Sequence, residues 1–347
     1  MSNPIEPGLG ERDLEQVREG LRMQAPPDPE QLAAEARHLE ALDRGPFTAR
    51  IRGWLELSGP GYLQAAMTLG AGTAVTSLYA GSVFGYRMLW VAPLGMLIGV
   101  LVFAALSHQT LSTGMRPLQA MARYAGKPFA MLWASGAMLA SVIWHLPQYN
   151  LAASSTVDLL SVLGLGSVHP MAASAVLAVF AVLLSLNYGR TPALVRAYER
   201  VIKYMIWSVV LCMGWVVIRT DTDWGAVLRG LVSFDLPEHD GEVSAVTVAV
   251  GGLAAAVGIN MVFLYPYSLL ARGWGRSHRG LARCDLLFGT LLPYVLAASL
   301  MAIAAANTLH AGGIAVSKVT AVDEMGRVLG NVMGPITGRV IFDLGVL

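Results

Sequence analysis

The sequence predicts an all-α polytopic membrane protein, and three observations carry that prediction. Hydrophobic residues make up 55% of the chain and charged residues only 14%, against roughly 25% charged in a soluble domain. Mean hydropathy is +0.55. Most of the charge also lies outside a handful of long apolar runs, each of membrane-crossing length. A lipid bilayer is therefore the expected solvent. The net charge of +1 gives no electrostatic footprint for nucleic acid, and no basic, aromatic-interleaved patch occurs.

Residues 1–53 read as a polar, solvated cytosolic tail. Within it, Asp28 or a neighbour caps one short helix that ends near Gly45. The opening MSNPIEPGLGERDLEQVREG is acidic and polar, where a cleavable signal is basic and then apolar. Residues 54–347 form the transmembrane domain, with spans expected at about 55–84, 88–106, 128–147, 170–187, 201–218, 244–271 and 286–306. An eighth begins near residue 336, and GRVIFDLGVL ends on apolar residues, so the chain reads as cut short inside a helix: seven full transmembrane helices plus the start of an eighth.

Lysine and arginine alternate from one flank to the next. Arg44, Arg50 and Arg52 precede the first span, and Arg87 alone follows it. Arg116, Arg123 and Lys127 follow the second span, whereas residues 148–169 after the third carry none. Arg190, Arg196, Arg200 and Lys203 lie around the start of the fifth. Arg219 and Arg229 then follow that span, against Arg272, Arg276, Arg279 and Arg283 after the sixth. Cytoplasmic loops carry the excess of basic residues, so the N-terminus is expected in the cytoplasm.

The spans hold almost no carboxylates, which argues against a proton pump or a voltage sensor. Their polar residues include Gln64, Thr68, Thr73, Thr76 and Ser77 in the first, Ser135, Ser141 and His145 in the third, and Asn260, Tyr265, Tyr267 and Ser268 in the sixth. His145 reads either as an interfacial hydrogen-bonding residue or as a proton relay, the former being the commoner role for a lone histidine near a span end. Tyr265 and Tyr267 bracket Pro266 and could pack at a kink. Cys212 lies in an apolar run and Cys284 in an arginine-rich loop, so no disulfide is expected. No Ser/His/Asp set, His-Glu-x-x-His or phosphate-cradling glycine loop occurs, and His145, His169 and His310 are scattered. Neither an enzyme nor a cofactor is expected.

Two spans are interrupted. LGAGT sits inside the first, and GGLAAAVGINMVFLYPYS fills the sixth. Glycine weakens a helix interior by about 1 kcal/mol relative to alanine. Such interruptions serve either close helix packing or a deliberate break. Spans five apart, each broken near mid-membrane, point to inverted-repeat secondary transporters.

The stretches GPGYLQAAMTLGAGT, GSVFGYRMLWV, LSTGMRPLQAMARYAG, NLAASSTVDLL and YPYSLLARGWGR resemble, in that order, the Nramp divalent-metal transporters, over roughly residues 55–347. The resemblance implies an incomplete leucine-transporter-type inverted-repeat fold, with a first repeat at about 54–218 and a partial second repeat at about 244–347. It also implies a bacterial inner (plasma) membrane, and a midplane site opened to each side in turn. The family motifs at that site are absent. Asp-Pro-Gly-Asn reads Gly70, Ala71, Gly72 and Thr73, and an ungapped match places Val262, Phe263 and Leu264 where the family has Met-Pro-His. A carboxylate and a thioether are thus expected to be missing.

The expected binding residues are Gly70, Ala71 and Gly72 as unwound backbone, Thr73 and Asn260 as oxygen ligands, and Ile259 through its carbonyl. Gln64, Thr68, Tyr265 and His145 would line the cavity. The cargo is then a metal cation, a hydrated hard divalent ion being one that fits, or a small solute, moved by alternating access. The alternative is a non-transporting relative that acts as a membrane sensor or partner protein. No residue is assigned as a metal ligand.

Overall fold

The computed structural model describes residues 29–166, 168–187, 192–238 and 243–314, together with residues 317, 324–327, 330, 339–340 and 343. The expected eighth span falls almost wholly outside the described residues. Among those described, the chain is helical and contains no strand.

Helix α1 (Pro29–Asp43) and helix α2 (Phe47–Leu57) precede the apolar region. The first span is two helices, α3 (Pro60–Thr68) and α4 (Ala71–Phe84). Then follow α5 (Val91–Thr113), the short α6 (Pro117–Tyr124), α7 (Lys127–Val162), α8 (Pro170–Asn187) and α9 (Pro192–Arg219). After α10 (Trp224–Val232), the sixth span is again split, into α11 (Ala245–Ala256) and α12 (Ile259–Ala271). The seventh comprises α13 (Arg279–Asp285), a π-helical stretch Leu286–Leu291, α14 (Leu292–Ala305) and a second π-helical stretch Ala306–His310. Pro293 stands in the first turn of α14, directly after the first π-helical stretch, where its missing N–H is best tolerated.

Helix α14 packs on both α4 and α9 at the centre, with α11 against α4 and α5. Leu78, Met213, Val216, Met301 and Leu309 form the buried heart of this bundle. Ala297, Ala298, Ala302, Ala304 and Ala305 face inward from α14. Small side chains let helix backbones approach closely, and van der Waals packing is what associates helices in lipid. Helices α7 and α8 stand at the edge. Met138, Leu139, Val142, Val176, Phe180 and Leu183 lie more than half exposed on them.

Two differences from the sequence reading affect the site. The third span was expected to end at Pro147, yet α7 runs on to Val162. Proline removes one backbone donor without forcing a membrane helix to stop. Residues 148–162 therefore continue the helical register of Trp144 and His145. Secondly, part of the polar tail is packed: Leu39 of α1 is buried against Trp274 and Leu281, with Leu42 and Trp54 beside it.

Candidate functional site: a cavity between two broken helices

The first break comprises Leu69 and Gly70. The Leu69 N–H still bonds the Ala65 carbonyl, while Gly70 is extended, with φ −70° and ψ −164°. Neither angle demands glycine. A Cβ on Gly70 would lie 2.7 Å from the Gln148 Cδ atom, so the bare backbone lets that side-chain amide rest on the break where a larger residue would make it swing aside. Gln148 then accepts the Ala71 N–H at 2.9 Å, satisfying one of the unpaired donors at the start of α4. Thr73 crosses the break from the other side. Its hydroxyl donates to the Thr68 carbonyl at 2.6 Å.

The second break comprises Val257 and Gly258, both with extended backbone. Asn260 folds back across it, since its Oδ1 would lie 2.6 Å from a Cβ placed on Gly258. The two breaks meet through Thr68, whose hydroxyl donates to the Gln64 carbonyl at 2.7 Å and lies 3.6 Å from the Met261 sulfur.

Between the breaks and the middle of α7 lies a cavity of about 300 Å³. Its polar and polarizable lining comes from Met67 and Gly70 on the first span, Trp144, His145 and Gln148 on α7, and Asn260 and Met261 on α12. Alanines, Gly258 and Ile259 complete it, and among the described residues no carboxylate faces it. Trp144 is seated by Gly72, where a Cβ would fall 2.6 Å from the indole. His145 Nδ1 lies 2.5 Å from the Ser141 carbonyl, and its ring packs on Tyr149 at 6.1 Å between centroids.

Of the residues expected from sequence, Gly70, His145, Ile259 and Asn260 line this cavity, and Ala71 reaches it through its bond to Gln148. Others are placed differently. Ala71, Gly72 and Thr73 form the first turn of α4 and are not unwound. Gly72 lies behind Trp144. Thr73 faces a separate void of about 20 Å³ beside Tyr294. Gln64 and Thr68 are buried off the cavity, and Tyr265 is fully buried against Phe103, their ring centroids 5.0 Å apart. Each break is only two residues long, so the side chains on both sides of it point by helical geometry and not toward a common midpoint.

Sequence reasoning missed Gln148, Trp144, Met67 and Met261. Trp144 and Gln148 are spaced i, i+4 and share a helix face once α7 passes Pro147. The expected absence of a thioether is also corrected. Residues 262–264 do not line the cavity, but Met261, in the first turn of α12, does.

The other end of α3 is anchored. Asp285 is fully buried, and its carboxylate accepts the Gly59 N–H at 3.0 Å and the Gly61 N–H at 2.6 Å. The Thr290 hydroxyl donates to the Gly61 carbonyl at 2.9 Å. Arg272 pairs with Glu199 and donates to the Leu57 carbonyl at 3.3 Å. A negative charge at a helix N-terminus is favourable both for the free N–H groups and for the helix dipole.

Known proteins share this architecture. A manganese transporter from Eremococcus coleocola, solved with an aromatic bis-isothiourea compound, superposes with a TM-score of 0.71 at 17% identity, over 85% of this chain and 62% of that one. In sequence, the divalent metal cation transporter MntH of Brucella suis biovar 1 is 26% identical over 311 residues, 86% of this chain and 64% of the relative. MntH of Listeria monocytogenes serotype 4b is 23% identical over 304 residues, 83% and 63% respectively. The chain thus spans a little under two thirds of the length of these relatives. Residues 61–347 match the family described as natural resistance-associated macrophage protein-like, and with that match over most of its length the chain belongs to the Nramp family.

Proposed function

We propose that this protein moves a metal cation across a membrane by alternating access, taking it up in the cavity between the two broken spans. One observation carries the reading: the interruptions at Leu69–Gly70 and Val257–Gly258 open onto a single cavity. Unwound backbone exposes carbonyls and helix ends where an apolar bilayer offers a cation nothing. A metal as cargo is supported by the names of the similar proteins, divalent metal cation transporters and a manganese transporter. The basic-residue pattern supports a cytoplasmic N-terminus, and the bacterial relatives support an inner membrane.

The cavity differs from a strong dication site in having no anionic wall. A carboxylate against a dication supplies gross attraction on the order of 10 kcal/mol at an effective dielectric of about 20. Here that attraction is absent, and the ion must be held by neutral donors.

The test is influx into liposomes carrying the full chain, with manganese, iron and magnesium measured side by side. Protein-dependent influx that is lost on Gly70→Leu supports the reading, because that side chain would displace Gln148 and fill the break. Full influx in the variant would sink the broken-helix site. No influx of any metal would move the weight to a sensor or partner role.

A further inference from the structure

The donor set of the cavity is unusual for a divalent-cation site. Two thioethers, Met67 and Met261, face the same space as the His145 imidazole, the Gln148 and Asn260 carboxamides and the Trp144 indole. Each donor is neutral as thioether, amide or uncharged imidazole. The cost of stripping water from an ion rises with the square of its charge, so a dication of equal size costs about four times what a monovalent ion does. Neutral walls therefore favour the lower charge. Softness points the same way: thioether sulfur favours Cu(I), and imidazole is a common copper ligand.

The surrounding contacts leave these donors free to bind. A carbonyl can only accept, so His145 Nδ1 carries the proton toward Ser141, which leaves Nε2 as the ring nitrogen able to offer a lone pair to a metal. Met261 packs in the buried cluster with Phe103 and Tyr265, and the one polar contact of its sulfur among the described residues is the Thr68 hydroxyl at 3.6 Å, secondary to the 2.7 Å bond that hydroxyl makes to Gln64. Met261 is 4% exposed and so is held in place by its surroundings, whereas Met67 is 37% exposed at the cavity rim. One thioether stands on each broken span, so a single ion held by both would couple the two. The Trp144 face adds a surface that attracts cations without anionic charge.

From this we infer that the cavity is selective for a soft monovalent metal ion, Cu(I) or its redox-inert analogue Ag(I), with Met67, Met261 and His145 Nε2 as its principal ligands. The inference rests on the metal-transport reading and names the class of its cargo.

The test uses the purified full chain in detergent, titrated with Cu(I) held by the colorimetric chelator bicinchoninate and, separately, with Ag(I) by calorimetry. The native chain is compared with the Met67→Leu/Met261→Leu double variant, which keeps apolar bulk. The control is Met171→Leu, a methionine on α8 that is 75% exposed and does not line the cavity. Cys212 and Cys284 lie outside the cavity and are unchanged in every variant, so any thiol binding cancels in the comparison. Far-ultraviolet dichroism and gel filtration establish that the variants fold. The expected result is Cu(I) and Ag(I) affinity at least about tenfold weaker in the double variant, unchanged in the control, and no displacement by excess Mn(II). Equal Cu(I) binding by the folded double variant overturns the inference. So does Mn(II) binding that displaces Cu(I), but that outcome leaves the metal-transport reading standing. If Cu(I) and Ag(I) fail to bind the folded native chain, the inference is overturned, and manganese, iron or magnesium influx in the liposome assay decides separately whether the metal-transport reading stands.

Discussion

Asp285 holds Gly61: its carboxylate accepts the Gly61 N–H at 2.6 Å, across 224 residues of sequence, and takes the Gly59 N–H with its other oxygen at 3.0 Å. The last residue of α13 thereby fixes the first turn of the half-helix whose other end forms the cavity. Charge-assisted bonds of this kind are the stronger ones, and here they lie fully buried. This contact anchors the end of α3 opposite the break.

Removing the carboxylate should free that end. Asp285→Ala leaves two backbone donors unpaired and should cost about 2–4 kcal/mol locally. Hydrogen exchange read by mass spectrometry should accelerate at residues 59–63 and stay unchanged in α4. Equal protection in the variant would show that other contacts hold α3.

Two glycines should respond oppositely to alanine. At Gly61 the new Cβ would be driven into the Asp285 backbone carbonyl, which cannot swing aside. At Gly251, in the middle of α11, nothing lies within 4 Å of the new methyl. Gly61→Ala should destabilise by about 1–3 kcal/mol. Gly251→Ala should be neutral or stabilise by up to about 1 kcal/mol through helix propensity. Thermal melts in detergent decide between this ordering and its reverse.

Gly70 and Gln148 should behave as one unit. Gln148→Ala deprives the Ala71 N–H of its acceptor, at about 1–3 kcal/mol, and Gly70→Ala pushes the same amide away. The double variant should therefore lose less than the two single losses added together, in stability and in metal influx alike. Strict additivity would mean that the Gln148 contact does not organise the break.

The α1 docking should be separable from the membrane bundle. Leu39 is 2% exposed, so Leu39→Ala should cost about 2–3 kcal/mol. Limited proteolysis should then cut within residues 29–46 more quickly, with the spans still protected. Unchanged cleavage would show that Leu39 does not anchor the helix.

Much of the architecture was legible because lipid imposes a simple rule. Spans must be apolar and their backbones self-bonded, so composition located seven of them and marked two as interrupted. Gly70 and Gly258 stand at the breaks because both interruptions are written in small residues. What failed was local direction. Pro147 read as a stop, which hid Gln148, and residues 262–264 drew attention away from Met261. Asp285 stands just outside the span expected at 286–306, and nothing in the sequence marks the glycine amides it meets.

The sequence by itself determined the membrane setting, the places of seven spans and the two weak points in them, since hydropathy and glycine content act on the chain locally. Only the tertiary structure decided which side chains share a space. Met67, Trp144, Gln148 and Met261 lie on three separate spans, and their meeting depends on helical phase and packing, where one residue of offset turns a side chain by about 100°.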